Sequence, residues 1–237
     1  MRIAFTGGGS GGHLYPIVAV AREIRRIAEA ERILNVELFY FGPERELPKP
    51  LDAEQVVFAH IPAGKIRTYT SIANVTDALK TIVGIAQALW KMFVVMPDVV
   101  FAKGGYGSFP VLVAARLYRI PVFIHESDSV PGRVNQWAAR FAKRIGIAFA
   151  HAARFFPKER TALVGIPIRR RIIGGSRDQG REVLGVYSDR PVLYVTGGSQ
   201  GAEVINEAMI ETLKELLGRY EIIHQIDDRN FVNRLHK

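Results

Sequence analysis

The feature that most constrains the fold is a unit of apolar strand, glycine-rich loop and helix that occurs three times. The three loops lie at residues 7–12, 103–108 and 197–202. Elsewhere, short apolar runs alternate with segments whose apolar residues recur at helical spacing. This alternation is typical of βαβ units, in which parallel strands are covered by helices on both faces. The sequence therefore predicts an α/β fold.

Eight strands and five helices are predicted from this patterning. We expect strands at residues 2–5, 36–41, 55–59, 99–102, 122–125, 144–148, 192–195 and 221–225. We expect helices at residues 15–30, 70–95, 111–117, 133–141 and 203–217. Periodicity fades between about residues 153 and 190, where basic residues accumulate. This break predicts two domains, 1–163 and 164–237, of which the second is incomplete.

Composition excludes several classes of function. The 237 residues include no cysteine, which excludes disulfide scaffolds, thiolate zinc sites and cysteine nucleophiles. Thirty-two Lys and Arg against 23 Asp and Glu give a net charge of +9, which favours anionic partners. No nucleic-acid-binding motif is visible, so we expect no nucleic acid. The most apolar stretch, residues 82–102, is interrupted by Pro97 and Asp98, and we expect a soluble, cytoplasmic protein rather than a membrane span.

The first glycine loop suits a phosphate group. Its glycines admit positive φ, and the N-terminus of the following helix adds partial positive charge. Gly7, Gly9 and Gly12 also satisfy the dinucleotide pattern, but the second strand is followed only by Glu44, which weakens that alternative. A purely structural tight turn is a further alternative. His13 closes the loop, either as a general base, as a hydrogen-bond donor to phosphate, or as a helix cap.

Two further segments suit polar ligands. The second loop begins with Lys103 and the third with Gly197, and each follows a strand as the first does. Together the three loops favour a cleft between two doubly wound domains that closes on phosphate-rich ligands. Residues 125–128, His-Glu-Ser-Asp, end a strand and suit acid/base or hydroxyl-binding chemistry, or form a polar turn. A second histidine at metal-ligand spacing is missing, so no metal site is expected.

Five motifs carry a family resemblance. They are residues 8–13, 103–106, 121–126, 165–169 and 197–202, and together they resemble the MurG family of peptidoglycan glycosyltransferases over residues 1 to about 225. The resemblance implies a GT-B fold: an acceptor- and membrane-associated Rossmann-like domain, then the truncated start of a UDP-sugar-binding domain. The implied reaction moves GlcNAc, with inversion, from UDP-GlcNAc to the muramyl 4-hydroxyl of lipid I, giving lipid II. UDP-GlcNAc is a substrate, and no cofactor is implied.

The same resemblance assigns site residues. His13 is the implied catalytic residue and candidate base. Arg169 and Ser199 would contact the diphosphate and nucleotide region of the donor. The full set of expected substrate-binding residues is Ser10, Gly11, Gly12, Lys103, Gly104, Gly105, Tyr106, Glu126, Asp128, Arg169, Ser199 and Gln200.

A membrane surface is the third expected partner, beside donor and acceptor. Apolar residues recur at helical spacing through residues 74–96, with Lys80 and Lys91 nearby and Lys65 and Arg67 before them. This pattern suits the anionic cytoplasmic face of the membrane, with a core helix as the alternative. Because the second domain is short, the alternative function is a non-catalytic acceptor- or membrane-binding half, completed by a separate chain that supplies the missing C-terminal half.

Overall fold

The computed structural model describes residues 1–8, 11–47, 49–65, 72–198 and 201–226, with the backbone alone for residues 72–74 and 171. The chain divides into two compact units, residues 1–170 and residues from 171 onward.

Seven parallel strands form the sheet of the first unit, in the order β3-β2-β1-β4-β5-β6-β7. They are β1 Arg2–Thr6, β2 Glu37–Gly42, β3 Val56–His60, β4 Val99–Ala102, β5 Val122–Glu126, β6 Arg144–Ile147 and β7 Thr161–Leu163. The α-helices of this unit are α1 Gly11–Ala30, α2 Lys49–Asp52, α3 Ile72–Val95, α4 Phe109–Leu117 and α5 Arg133–Ala138. Short 3₁₀ helices cover Tyr106–Ser108, Ala150–Phe155 and Lys158–Arg160.

The core of the first unit lies on both faces of this sheet. Successive side chains of a strand point to opposite faces, so Phe5 and Ala4 belong to different apolar clusters. Phe5 packs in the cluster that includes Ile17 of α1. Ala4 packs in the cluster that includes Met92 of α3 and Leu112 of α4. Burial on both faces explains why the strands read as apolar runs rather than as alternating ones.

The strand order places a crevice beside β1. β1 pairs with β2 on one side and with β4 on the other. The chain runs outward from β1 to β3 and then returns to continue from β4 in the opposite direction. In open parallel sheets, ligands bind at the carboxyl ends of the strands at such a reversal. The loops that follow β1, β4 and β5 therefore define the candidate site.

The second unit repeats the start of the first on a smaller scale. β8 Val192–Thr196 pairs in parallel with β9 Glu221–Gln225, and α7 Glu203–Leu216 connects them. A preceding helix, α6 Arg177–Val183, begins after Ser176, whose hydroxyl accepts the backbone N–H of Gln179. A 3₁₀ helix, Arg170–Ile172, lies where the two units meet in sequence.

The predicted α/β class and all eight predicted strands are confirmed, with small shifts at their ends. Besides the short 3₁₀ helices, the prediction missed α2, α6 and the three-residue strand β7, which are too short or too polar to produce a periodic signal. The boundary between the two compact units follows Arg170. The boundary between residues 163 and 164 stays a prediction.

Helix α3 differs from the expectation that the most apolar stretch of the chain falls short of a membrane span. Residues Val75–Val95 are long and apolar enough to cross a membrane by length and composition, with a mean hydropathy of 1.4. The prediction considered residues 82–102, but the helix ends before Pro97 and Asp98. α3 connects β3 and β4 of one sheet and contributes Ala88 and Met92 to the core. Only 17% of its apolar window is fully buried, and many of the remaining residues are exposed to solvent.

Candidate active site

The first glycine loop leaves β1 at Gly7 and Gly8. The Gly7 carbonyl lies 3.0 Å from the hydroxyl of Tyr40, which can donate to it. A Cβ on Gly7 would lie 3.1 Å from Cβ of Lys103 and 3.1 Å from Cδ1 of Ile17. Glycine therefore lets the end of β1 pass between two side chains. Residues 9 and 10, which include the predicted site residue Ser10, lie outside the described residues.

Helix α1 begins inside this loop, four residues earlier than predicted. Gly11, Gly12 and His13 form its first turn. The unpaired N–H groups and the dipole of a helix N-terminus attract anions, so this turn offers partial positive charge at the carboxyl end of β1. The predicted loop residues Gly11, Gly12 and His13 thus lie together at the crevice.

The second glycine loop follows β4. Gly104 and Gly105 have φ of 86° and 79°, a region that glycine adopts without strain. A Cβ on Gly105 would lie 3.1 Å from the Gly8 carbonyl oxygen and 3.2 Å from Nε2 of His13. The two predicted glycine loops are therefore in direct contact, with the imidazole of His13 against the second.

The loop then turns into α4. The Gly105 carbonyl accepts from both the backbone N–H and the hydroxyl of Ser108, at 3.2 and 2.9 Å. Tyr106 is half-buried, and Nζ of Lys65 lies 5.7 Å from the centre of its ring. Burial raises the pKa of Tyr106, and the carboxylate of Glu44 raises it further.

Lys103 is a buried cation at the end of β4. Its side chain is 2% exposed, and Nζ donates to the hydroxyl oxygen of Ser127 at 2.7 Å. Burial lowers the pKa of Lys103, whereas Glu126 and Asp128 raise it. The ammonium thus lies among residues of the loop that follows β5.

Glu126 holds that loop in place. One carboxylate oxygen accepts the backbone N–H of Asp128 at 2.9 Å. The other accepts the backbone N–H of Gly132 at 3.1 Å and the side-chain amide of Asn135 at 3.0 Å. Both oxygens are engaged within the chain and the residue is 4% exposed. The predicted substrate ligand Glu126 therefore lies beneath the site, whereas Asp128 is exposed at its rim.

Within the described part of the first unit, Nδ1 of His125 and Oδ1 of Asn135 are buried without a hydrogen-bond partner. Nε2 of His125 lies 2.8 Å from the Gly165 carbonyl oxygen. A carbonyl only accepts, so Nε2 carries the proton and Nδ1 is the basic nitrogen of this tautomer. Burial lowers the pKa of His125, against the effect of the Gly165 bond.

His13 is the titratable group that faces both glycine loops. Burial lowers the pKa of His13, and the Lys103 ammonium lowers it further, whereas Asp128 and Glu126 raise it. A lowered pKa leaves the imidazole neutral at pH 7, with a nitrogen that can accept a proton. A neutral imidazole therefore lies against the second glycine loop and within the influence of Lys103.

Sequence reasoning missed three residues of this region. The hydroxyl of Tyr40 also lies 3.0 Å from a carboxylate oxygen of Glu44, whose other oxygen would be 2.8 Å from a Cβ on Gly8. Glu44 had been considered only as a ribose ligand. Asn135 crosses from α5 to Glu126, and its amide would be 2.6 Å from a Cβ on Gly104. No local signal marks Tyr40 or Asn135, because their contacts with Gly7 and Glu126 depend on how the chain folds back on itself.

The residues predicted to bind the donor are described only in part. Arg169 belongs to the first unit, where its guanidinium lies 4.2 Å above the ring of Tyr15, two residues beyond His13. Ser199 and Gln200 lie outside the described residues. Within the described ranges, no group of three or more His, Cys, Asp or Glu side chains could hold a metal ion.

Comparison with known proteins identifies the family. The model of the glycosyltransferase family 28 N-terminal domain matches residues 3–147, more than half of the chain. The chain belongs to glycosyltransferase family 28. The C-terminal domain of the same family matches residues 192–235. The two matches fall on either side of the stretch in which periodicity fades.

Curated relatives within family 28 are similar along most of the chain. A UDP-N-acetylglucosamine–N-acetylmuramyl-(pentapeptide) pyrophosphoryl-undecaprenol N-acetylglucosamine transferase 2 of Bacillus cereus is 37% identical over 224 residues. The transferase of that name from Shouchella clausii is 43% identical over 223 residues. These matches cover 94% of this chain and 62% and 61% of the two relatives. The predicted resemblance to MurG-type enzymes is confirmed, and the chain spans about three fifths of the relatives' length.

Solved structures share the fold. Acinetobacter baumannii MurG has a TM-score of 0.65 and 24% identity, covering 99% of this chain and 61% of that one. A UDP-GlcNAc 2-epimerase from Neisseria meningitidis, solved with UDP-GlcNAc bound, has a TM-score of 0.64 at 13% identity, covering 100% and 68%. The predicted GT-B-type fold of this family 28 chain is confirmed.

Proposed function

We propose that this chain carries the acceptor site, and the start of the donor domain, of an inverting glycosyltransferase. The proposed reaction moves GlcNAc from UDP-GlcNAc to the muramyl 4-hydroxyl of lipid I and gives lipid II. The contact between the two glycine loops around His13 carries the proposal. The names of the relatives supply its donor and acceptor.

The acceptor diphosphate fits the crevice beside β1. The first turn of α1 offers N–H groups and a positive dipole end, and the loop at Gly104 and Gly105 lies in contact with it. Lys103 adds a buried positive charge. Together these groups favour a diphosphate whose sugar lies next to His13.

His13 is the proposed general base. O4 of the acceptor attacks C1 of GlcNAc, the bond from C1 to the UDP oxygen breaks, and the UDP oxygen takes its electron pair. The proton of the 4-hydroxyl passes to the neutral imidazole of His13. Attack opposite to the leaving group inverts the configuration at C1.

Arg169 and the third glycine loop are the proposed donor contacts. A guanidinium can bind a diphosphate through two parallel hydrogen bonds. The guanidinium of Arg169 packs on the ring of Tyr15, and Tyr15 belongs to the same helix, α1, as His13. A cation therefore lies against the helix that carries the proposed base. Ser199 and Gln200 remain proposed contacts of UDP, whose departure such hydrogen-bond donors would assist.

The exposed face of α3 is the proposed membrane contact. Leu79, Ile82, Trp90 and Phe93 are each more than half exposed, and together they form an apolar surface. Lys80 is exposed beside it, with Nζ 3.7 Å from a carboxylate oxygen of Asp77. Nζ of Lys91 instead donates to the His60 carbonyl at 2.7 Å. Arg67 lies outside the described residues. An apolar surface with a basic neighbour favours the anionic cytoplasmic face of the membrane, where the lipid-linked acceptor lies.

A transfer assay tests the enzymatic proposal. The chain is incubated with labelled UDP-GlcNAc and a soluble lipid I analogue, beside His13→Ala and a matched His151→Ala control at an exposed histidine outside the site. We expect product from the wild type and the control and at least a 100-fold loss in His13→Ala. Product formed equally by all three would contradict the role of His13.

The second candidate is a non-catalytic acceptor-binding half that a separate chain completes. It is favoured by β8, which pairs with β9 alone among the described strands. This candidate predicts binding of the lipid I analogue without transfer. Transfer should then appear when the remaining C-terminal part of a family 28 relative is added. Failure to bind the analogue at all would contradict both candidates.

A further inference from the structure

Lys103 occupies a position that is unusual for a lysine, because both ends of the residue are fixed inside the first unit. Its backbone N–H donates to the Thr6 carbonyl at 2.8 Å, which ties the end of β4 to the end of β1. Its ammonium donates to Ser127 at 2.7 Å. A cation held in a poorly solvated place acts strongly on neighbouring charges, since little water screens it.

His13 and Lys103 both lie close to Gly7. A Cβ on Gly7 would lie 3.1 Å from Cβ of Lys103 and 3.7 Å from Cβ of His13. Both side chains therefore begin close to the position that a Cβ on Gly7 would occupy. The imidazole then packs against Gly105, two residues beyond Lys103.

The other charges near His13 balance Lys103 only partly. Glu126 already accepts three N–H groups, from Asp128, Gly132 and Asn135. The carboxylate of Asp128 is exposed, where water screens it. Glu44, at the end of β2, lies next to Gly8. After burial, Lys103 is the largest influence on the pKa of His13, and it lowers that pKa.

We propose that Lys103 is a positioning residue for His13: its ammonium, fixed by Ser127, opposes a second positive charge on the imidazole and so keeps the base ready to accept a proton. The inference rests on the proposed function, because Lys103 assists the reaction only if His13 is the base. Its physical content, one buried charge acting on one histidine, can be measured without either substrate.

The test is an NMR titration of the histidine ring protons in the whole chain. The chain has six histidines, and the His13 signal is assigned by its loss in His13→Gln. The titration is repeated in Lys103→Met and in Lys103→Gln, whose amide can still donate to Ser127. Lys143→Met makes the same change at an exposed lysine that precedes β6, at the opposite end of the sheet.

We expect the midpoint of His13 to move to higher pH in both Lys103 variants, by more than the difference between wild type and Lys143→Met. An unchanged or lower midpoint in a folded variant overturns the proposal. If neither Lys103 variant folds while Lys143→Met does, Lys103 serves folding rather than His13, and the proposal is also overturned. None of these outcomes depends on transfer activity, so they leave the proposed function to its own assay.

Discussion

The amide of Asn135 donates to a carboxylate oxygen of Glu126 at 3.0 Å, and both side chains are buried under the loop that follows β5. This contact joins α5 to the end of β5 across nine residues. It also lies beside Gly104, where any Cβ would meet the Asn135 amide. This hydrogen bond thus lies between the second glycine loop, which begins with Lys103, and the loop that follows β5.

Glu126→Gln should lower the free energy of unfolding by about 1–3 kcal/mol. The carboxylate accepts three N–H groups, and an amide would turn its own NH₂ toward at least one of them. Chemical denaturation at pH 7 measures the loss. Glu159→Gln is the matched control, because the Glu159 side chain is 73% exposed and its ion pair with Arg160 contributes little. Equal stability of the two variants would contradict a clamping role for Glu126.

Gly105→Ala should destabilise the chain by about 1–2 kcal/mol or more, because alanine is strained at a φ of 79°. Its Cβ would also press on the Gly8 carbonyl and on His13. Gly132→Ala is the control: Gly132 has a φ of −65° and open space around its Cβ position. There the substitution should be neutral or stabilise by up to about 1 kcal/mol. A reversed order of the two variants would show that the loops do not pack as described.

Stability should fall as the pH drops below about 6.5, the usual pKa of histidine. Burial lowers the pKa of His13 and of His125 in the folded chain. Between the folded and unfolded pKa values, the unfolded chain binds more protons, so acid favours unfolding. Each such group contributes a slope of up to about 1.4 kcal/mol per pH unit.

Denaturation at pH 7, 6 and 5 measures this slope in the wild type and in His125→Gln, which cannot titrate. We expect a shallower slope in the variant, whereas His151→Gln, at an exposed histidine, should keep the slope of the wild type. A slope that His125→Gln leaves intact would assign the pH dependence to other groups.

Most of the fold could be predicted because the central strands of the first unit are buried on both faces and the glycine loops directly follow strands. The position of His13 followed from the same logic, since a residue that closes a loop after β1 lies at the crevice. What could not be predicted depends on contacts distant in sequence. Tyr40 reaches Gly7 across 33 residues, and the turn after β2 brings Glu44 back to Gly8. β7 has three residues, too few to show a pattern.

The sequence also could not predict which side chains at the end of β5 and in the loop after it are buried and which are exposed. Glu126 and Asp128 are two residues apart and were both predicted to bind substrate, yet Glu126 is buried and Asp128 is exposed. Strand alternation does not explain this difference, because residues i and i+2 of a strand point to the same face. β5 ends at Glu126, so the direction of Asp128 is set by the loop that follows. The backbone N–H groups that engage Glu126 belong to a loop whose path is set by tertiary packing.

Substitutions on α3 should weaken binding to anionic vesicles. Trp90 is 69% exposed, and burying such a side chain in the interface contributes about 1.5–3 kcal/mol. Trp90→Ser should therefore reduce partitioning at least tenfold in sedimentation with phosphatidylglycerol-containing vesicles. Tyr187→Ser removes an aromatic side chain that is 84% exposed in the second unit, and it should bind as the wild type does. Equal loss in both variants would point to general hydrophobic adsorption, and no loss in either would exclude the α3 face as the membrane contact.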